Sequence, residues 1–96
     1  MNLQHLLKEK RAAILDIAER HGARNVRVFG SVARGDFDEK SDLDILVDMD
    51  PGRSLFDHAA LLLDLEELLG CKVDVVSGKG IKARIRERVL REAQPL

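Results

Sequence analysis

The sequence lacks tryptophan and tyrosine altogether, and its only aromatic residues are three phenylalanines. Proteins that hold single-stranded nucleic acid commonly stack the bases on aromatic side chains, so this shortage argues against direct nucleic-acid binding. The longest apolar run, residues 59–63, is far shorter than the roughly 20 residues that a bilayer-spanning helix needs. We therefore expect neither a DNA-binding protein nor a membrane protein.

Cysteine is nearly absent as well, because Cys71 is the only one. One cysteine cannot close an internal disulfide, so we expect a buried, reduced thiol in a cytoplasmic protein. The sixteen basic and seventeen acidic residues almost cancel, and no overall field draws the chain to nucleic acid or to an anionic membrane. With 96 residues, 45% of them hydrophobic, the chain is predicted to form one soluble domain around a single core.

The hydrophobic pattern predicts an α/β protein in the order helix, strand, strand, helix, strand, helix. The predicted helices cover about residues 2–20, 55–69 and 81–92, the predicted strands cover 25–29, 43–47 and 72–76, a helical turn covers 31–34, and a polar loop covers 35–40. Gly22 and Gly70 are well placed to end the first two helices. Ser54, with Asp57 three residues later, is typical of a capping box at the start of the second.

Two helices carry apolar residues at a spacing that predicts a buried face. In the second helix the expected stripe is Leu55, Ala59, Leu62, Leu65 and Leu69, and in the third it is Ile81, Ile85 and Val89. These stripes would pack the helices against a small sheet.

The candidate site lies between residues 30 and 44. The first strand stops at Gly30-Ser31, and Asp42-x-Asp44 opens the second strand after ten intervening residues. Residues two apart in a strand share a face, so the two carboxylates project side by side and repel one another. A divalent cation such as Mg²⁺ would offset that repulsion, and the Gly30-Ser31 turn could hold phosphate oxygens through its backbone N–H groups and hydroxyl.

A third acidic residue, Asp74, interrupts the otherwise apolar third strand. Burying a carboxylate without a partner is costly, so its position needs an explanation. Adjacent strands lie about 4.8 Å apart, and Asp74 could therefore join Asp42 and Asp44 on one face. Three such carboxylates would hold two Mg²⁺ ions in the arrangement used for phosphoryl or nucleotidyl displacement. The alternative is an acid on an edge strand that simply faces water.

The string GSVARGDFDEKSDLDILVD and the ending IRERVLREAQPL resemble the minimal nucleotidyltransferases of the DNA polymerase β-type superfamily, the MntA-like antitoxins of HEPN/MNT toxin–antitoxin pairs. The resemblance implies a polymerase β-like fold, a small mixed sheet of three or four strands packed with about three main helices. It also implies that Gly30 and Ser31 bind the β- and γ-phosphates of ATP, that Asp42 and Asp44 ligate both metal ions, and that Asp74 binds the catalytic metal and helps to deprotonate the acceptor.

Arg34 follows Ser31 by three residues and could add positive charge near the phosphates. The other interpretation, a surface arginine paired with Asp36 or Asp38, is left open by the sequence. These two acids are themselves expected to be solvated loop residues rather than ligands.

Three functions are compatible with this pattern. The resemblance implies an antitoxin that transfers AMP from ATP to a tyrosine hydroxyl of a cognate HEPN ribonuclease toxin, with which it would form a hetero-oligomer. The alternative is an antitoxin that neutralises the toxin by binding and occlusion alone. A transferase acting on a small molecule such as an aminoglycoside is disfavoured, because the chain is short and lacks a second domain to form a pocket.

Overall fold

The computed structural model describes residues 3–34, 42–78 and 83–96, without the side chains of residues 3, 31, 32 and 83–85. Its elements are α1 (Leu3–Glu9), α2 (Arg11–Arg20), β1 (Ala23–Phe29), α3 (Gly30–Arg34), β2 (Leu43–Met49), α4 (Leu55–Leu69), β3 (Val73–Ser77), α5 (Ala83–Glu92) and β4 (Gln94–Pro95). The predicted element order is confirmed, with one short strand added at the end. The predictions for the loop 35–40, for the hydroxyl of Ser31 and for the buried Ile81 and Ile85 lie outside the described residues and side chains.

The four strands form one mixed sheet in the order β3-β2-β1-β4. The β1 strand pairs antiparallel with β2 and with β4, whereas β2 and β3 are parallel. The expected α/β class and small mixed sheet are therefore confirmed. The β2 strand lies inside the sheet, and the side chains of Leu43, Ile45, Leu46 and Val47 are fully buried. The site predicted at its beginning is thus carried by the best-protected strand of the core.

The first predicted helix is interrupted near its middle. It consists of α1 and α2, which meet at Lys10, whose φ of -98° and ψ of 8° depart from helical values. Hydrogen bonds of 2.9 Å still run from Lys10 N to Leu6 O and from Ile14 N to Lys10 O. The prediction of one unbroken helix was wrong here, because hydrophobic spacing does not detect a single distorted residue between two helical turns.

The ends of the central helix α4 agree with the sequence. The Ser54 hydroxyl accepts a hydrogen bond from Phe56 N at 3.2 Å, and Ser54 N donates to the Asp57 carboxylate at 2.9 Å, which completes the capping box. At the other end Gly70 adopts a left-handed φ of 67°. The start and the end of α4 are therefore set by the local side chains that predicted them.

The buried face of α4 differs from the prediction. Its buried residues are Leu61, Leu65 and Leu69, whereas Leu55 is 85% exposed and Ala59 is exposed as well. Leucines follow one another so closely in this helix that several faces are apolar, and packing against α2 and β3 selects among them. In α5, Val89 is only half-buried. No helix in the described ranges is long and apolar enough to cross a membrane.

Candidate active site

The carboxylates of Asp44 and Asp74 lie on adjacent parallel strands. In the pairing of β2 with β3, Asp44 is the register partner of Asp74, and Asp42 precedes Asp44 by two residues. The backbone hydrogen bond from Leu43 N to Lys72 O, at 3.0 Å, supports this alignment at the start of the two strands. A second hydrogen bond, from Val73 N to the Glu66 carboxylate at 3.0 Å, attaches the start of β3 to α4. In the described part of the sheet β3 is an edge strand, and its Asp74 is exposed, whereas Asp42 and Asp44 are half-buried. No pattern in the sequence indicated the anchoring role of Glu66.

The three carboxylates act on one another electrostatically. Burial raises the pKa of Asp44, and the charges of Asp74 and Asp42 raise it further. The guanidinium of Arg34 acts in the opposite direction and lowers it. A half-buried carboxylate beside two others is a region of concentrated negative charge, which favours the binding of a cation.

Gly30 lies directly against this group. It follows Phe29, which pairs with Asp44 across β1 and β2, and it has a positive φ of 74°. A Cβ atom at Gly30 would collide with Oδ2 of Asp44 and would lie 3.1 Å from its Cγ. Only glycine fits both the backbone angle and the space. The turn that the sequence associates with phosphate binding therefore touches the predicted metal ligand, a contact that sequence spacing did not reveal.

Arg34 forms an ion pair with a residue that is distant in the sequence. Its Nη1 atom lies 3.1 Å from Oε2 of Glu92 on α5, and Nε of Arg88 donates to Oε1 of the same carboxylate at 3.2 Å. The hydrogen bond from Arg88 lowers the pKa of Glu92, and the charge of Arg34 lowers it further. Glu92 is separated from Arg34 by 58 residues, so no local signal could identify this pair. The alternative partners Asp36 and Asp38 lie outside the described residues.

Cys71 lies in the turn that leads into β3. It is half-buried rather than buried as expected. Burial raises the pKa of its thiol, and the carboxylates of Glu66 and Asp42 raise it further. The thiol is therefore held in its protonated form beside the acidic group.

The donor set suits Mg²⁺. Within the described ranges, no three carboxylate, imidazole or thiol groups are arranged to hold a metal ion by themselves. Protein Mg²⁺ sites commonly use one or two carboxylates, completed by waters and substrate phosphates. The adjacent carboxylates of Asp42 and Asp44, with Asp74 in register beside them, supply oxygen ligands of that kind.

Comparison with known proteins finds the same fold in solved structures, and it finds relatives that are named nucleotidyltransferases or adenylyltransferases. A solved minimal nucleotidyltransferase has a TM-score of 0.89 and 57% identity, and the match covers 100% of this chain and 97% of that one. Protein adenylyltransferase MntA of Thermococcus cleftensis is 46% identical over 77 residues, which cover 80% of this chain and 78% of the relative. A chain of a solved toxin–antitoxin structure with AMP-PNP shares the fold, with a TM-score of 0.75, 20% identity, and coverage of 88% of this chain and 69% of that one.

The family comparison covers most of the sequence. Residues 10–96 match the nucleotidyltransferase domain, a span that contains the Gly30-Ser31 turn and all three aspartates. The family resemblance seen in the sequence is thereby confirmed, as is the nucleotidyltransferase activity that it implies. This chain belongs to the nucleotidyltransferase domain family.

Proposed function

We propose that this chain is an antitoxin that transfers AMP from ATP to a tyrosine hydroxyl of a cognate HEPN-type ribonuclease toxin. The observation that carries this proposal is the position of Asp44, which has Gly30 on one side and Asp74 in register on the other. Adenylyl transfer needs a turn that holds phosphate oxygens next to carboxylates that ligate metal ions, and this arrangement places the two together.

The site residues divide three tasks among them in the proposed reaction. The backbone of the Gly30-Ser31 turn and the Ser31 hydroxyl hold the β- and γ-phosphates, and Arg34 adds a positive charge beside them. Asp42, Asp44 and Asp74 would hold two Mg²⁺ ions, which neutralise the phosphate charge when bound. The oxygen of the acceptor hydroxyl attacks the α-phosphorus of ATP, and pyrophosphate leaves. Asp74 also accepts the proton that this hydroxyl loses. Asp74 suits this task because it is the exposed member of the group.

The relatives support the choice of a protein acceptor and of ATP. One relative at 46% identity is named protein adenylyltransferase MntA, and a structure with the same fold is a toxin–antitoxin assembly with AMP-PNP, an ATP analogue. These names describe those proteins. Their transfer to this chain, and with it the HEPN toxin as a partner in a hetero-oligomer, is part of the proposal.

The proposal is tested by incubating the protein with Mg²⁺, the cognate toxin and ATP labelled on its α-phosphate. We expect label on the toxin, and loss of that label when the toxin tyrosine is changed to phenylalanine. The double variant Asp42→Asn with Asp44→Asn should label at least about a hundredfold more slowly. Asp16→Asn is the matched control, because Asp16 lies on α2 in an exposed ion pair with Arg20. Absence of label on a toxin that still forms the complex would contradict the proposal.

Neutralisation by occlusion is separated from chemistry in cells that express the toxin. If modification is required, the double aspartate variant fails to protect while it still binds the toxin. Full protection by the same variant would instead establish a binding antitoxin that retains the nucleotidyltransferase fold as a scaffold.

A further inference from the structure

The outer face of α4 exposes an apolar stripe. Phe56 is 87% exposed and Leu63 is 63% exposed, and the exposed Ala59 and half-buried Ala60 lie between them on the same side. This side is opposite to the buried leucines that attach α4 to the core. Single exposed leucines are ordinary, but two large apolar side chains on one helical stripe mark an interaction surface.

The order of side-chain sizes in this stripe, which is large, small, small and large, is the same from either end. Phe56 and Leu63 lie at equal distances from a midpoint between Ala59 and Ala60. A second α4 running in the opposite direction would therefore set its Leu63 against Phe56, and its Phe56 against Leu63. The alanines would meet at the crossing point, where small side chains let two helices approach to about 8 Å.

The charges of α4 follow the same symmetry. Arg53 lies just before the helix, Glu67 is exposed in its last turn, and the two are also nearly equidistant from the midpoint. In the antiparallel arrangement Arg53 of one copy would face Glu67 of the other. The flanking carboxylates already have partners, since Asp57 is 3.3 Å from Arg53 and Asp64 is 2.7 Å from His21. These two carboxylates should therefore add little electrostatic repulsion between two copies.

We propose that the α4 stripe binds a second copy of this chain, with the two α4 helices packed antiparallel about a twofold axis. This inference does not depend on the proposed function. The β2 strand begins at the carboxylates and ends at Met49, before α4 starts, so the N-terminal part of the stripe lies at the opposite end of the sheet from the site. A single pair of helices is smaller than the standard interface of about 1,600 Å², so the dimer should be weak and concentration-dependent.

Sedimentation of the full chain over a series of concentrations tests the dimer. Leu63→Glu places two negative charges in the interface, one from each copy, and should weaken dimerisation by more than roughly tenfold. Leu90→Glu is the matched control, because Leu90 is another exposed leucine, on α5. Equal weakening by both variants, or a wild-type chain that is monomeric at all concentrations up to about 1 mM, would overturn the proposal. The proposal would also be overturned if Leu63→Glu abolished toxin binding and left self-association unchanged. The α4 stripe would then bind the toxin and not a second copy.

Disulfide trapping tests the direction and register of the pair. In a Cys71→Ser background, Phe56→Cys and Leu63→Cys should cross-link rapidly when the two variants are mixed. Neither should cross-link alone, because identical positions would lie about 10 Å apart along the axis at 1.5 Å per residue, beyond the reach of a disulfide. Self-cross-linking of either single variant as fast as the mixture would overturn the antiparallel arrangement.

Discussion

Asp44 and Asp74 are register partners on adjacent parallel strands, and no residue of either strand separates them. Burial and the neighbouring charges of Asp74 and Asp42 raise the pKa of Asp44. The fold therefore holds like charges together, which costs stability until a cation binds.

Removing one of these charges should stabilise the metal-free protein. Asp44→Asn keeps the shape of the side chain and removes its repulsion with Asp74, so we expect the melting temperature to rise by a few degrees without Mg²⁺. Added Mg²⁺ should raise the melting temperature of the wild type, by mass action, but not that of the variant. Differential scanning calorimetry with and without Mg²⁺ measures both effects. An unchanged response to Mg²⁺ in Asp44→Asn would show that the cation binds elsewhere.

The contact between Gly30 and Asp44 is tested by two alanine substitutions. Gly52→Ala should cost about 1–2 kcal/mol, since the φ of Gly52 is 88° and nothing lies within 4 Å of a Cβ there. Gly30→Ala carries the same backbone cost and must also displace the Asp44 carboxylate. It should therefore destabilise the protein more and abolish nucleotidyl transfer, whereas Gly52→Ala remains active. Chemical denaturation and the labelling assay provide the two measurements, and equal activity of the two variants would refute the contact.

The ion pair between Glu92 and Arg34 should affect nucleotide binding more than turnover. Glu92→Ala removes the ion pair that helps to orient the guanidinium of Arg34, and we expect KM for ATP to rise about two- to fivefold with kcat little changed. Arg88→Ala is the control, because Arg88 contacts the same carboxylate but leaves the pair with Arg34 intact. Steady-state kinetics of both variants decide the point. A larger effect of Arg88→Ala would show that Glu92 serves α5 rather than the site.

The buried face of α4 is tested by comparing two leucines that the sequence placed on the same stripe. Leu65→Ala should cost about 2–5 kcal/mol, because Leu65 is fully enclosed in the core. Leu55→Ala should change stability by no more than about 0.5 kcal/mol, since Leu55 is largely exposed. Urea unfolding at low protein concentration measures both. A large loss of stability in Leu55→Ala would show that Leu55 is buried, as the sequence predicted.

The capping box gives a pH-dependent contribution to stability. The hydrogen bond from the Ser54 backbone lowers the pKa of Asp57, and Arg53 lowers it further. Because the folded pKa is below the unfolded one, this contribution is complete above the unfolded pKa of about 3.9 and is lost as the pH falls through the folded pKa. Asp57→Asn should therefore lose less stability than the wild type between pH 5 and pH 2.

Ser54→Ala is the control for that experiment. It removes the hydroxyl acceptor and should cost about 1 kcal/mol. The backbone bond to Asp57, which is the main cause of the lowered pKa, remains, so most of the pH dependence should remain as well. Urea unfolding across the pH range compares the three proteins. If the free energy of unfolding of Asp57→Asn changed with pH as that of the wild type does, the proposed contribution of Asp57 to the capping box would be contradicted.

Local patterns were enough to predict most of the fold. Ser54 and Asp57 identify the start of α4 by their own hydrogen bonds, and short apolar runs identify β2 and β3. Features that depend on distant residues were not predictable in this way. Glu92 meets Arg34 only after folding, and the sequence could not indicate that Gly30 touches Asp44. The two-residue β4 strand is too short to give a pattern.

The β3 strand has a neighbour on only one side in the described sheet, and it carries Asp74 on an exposed position. Among the described residues, the sheet therefore exposes one carboxylate of the group at its border and keeps the two carboxylates of β2 half-buried. Under the proposed transfer to a toxin, the acceptor is then expected to approach from the β3 side. Asp74 would be the first of the three aspartates that the acceptor side chain meets.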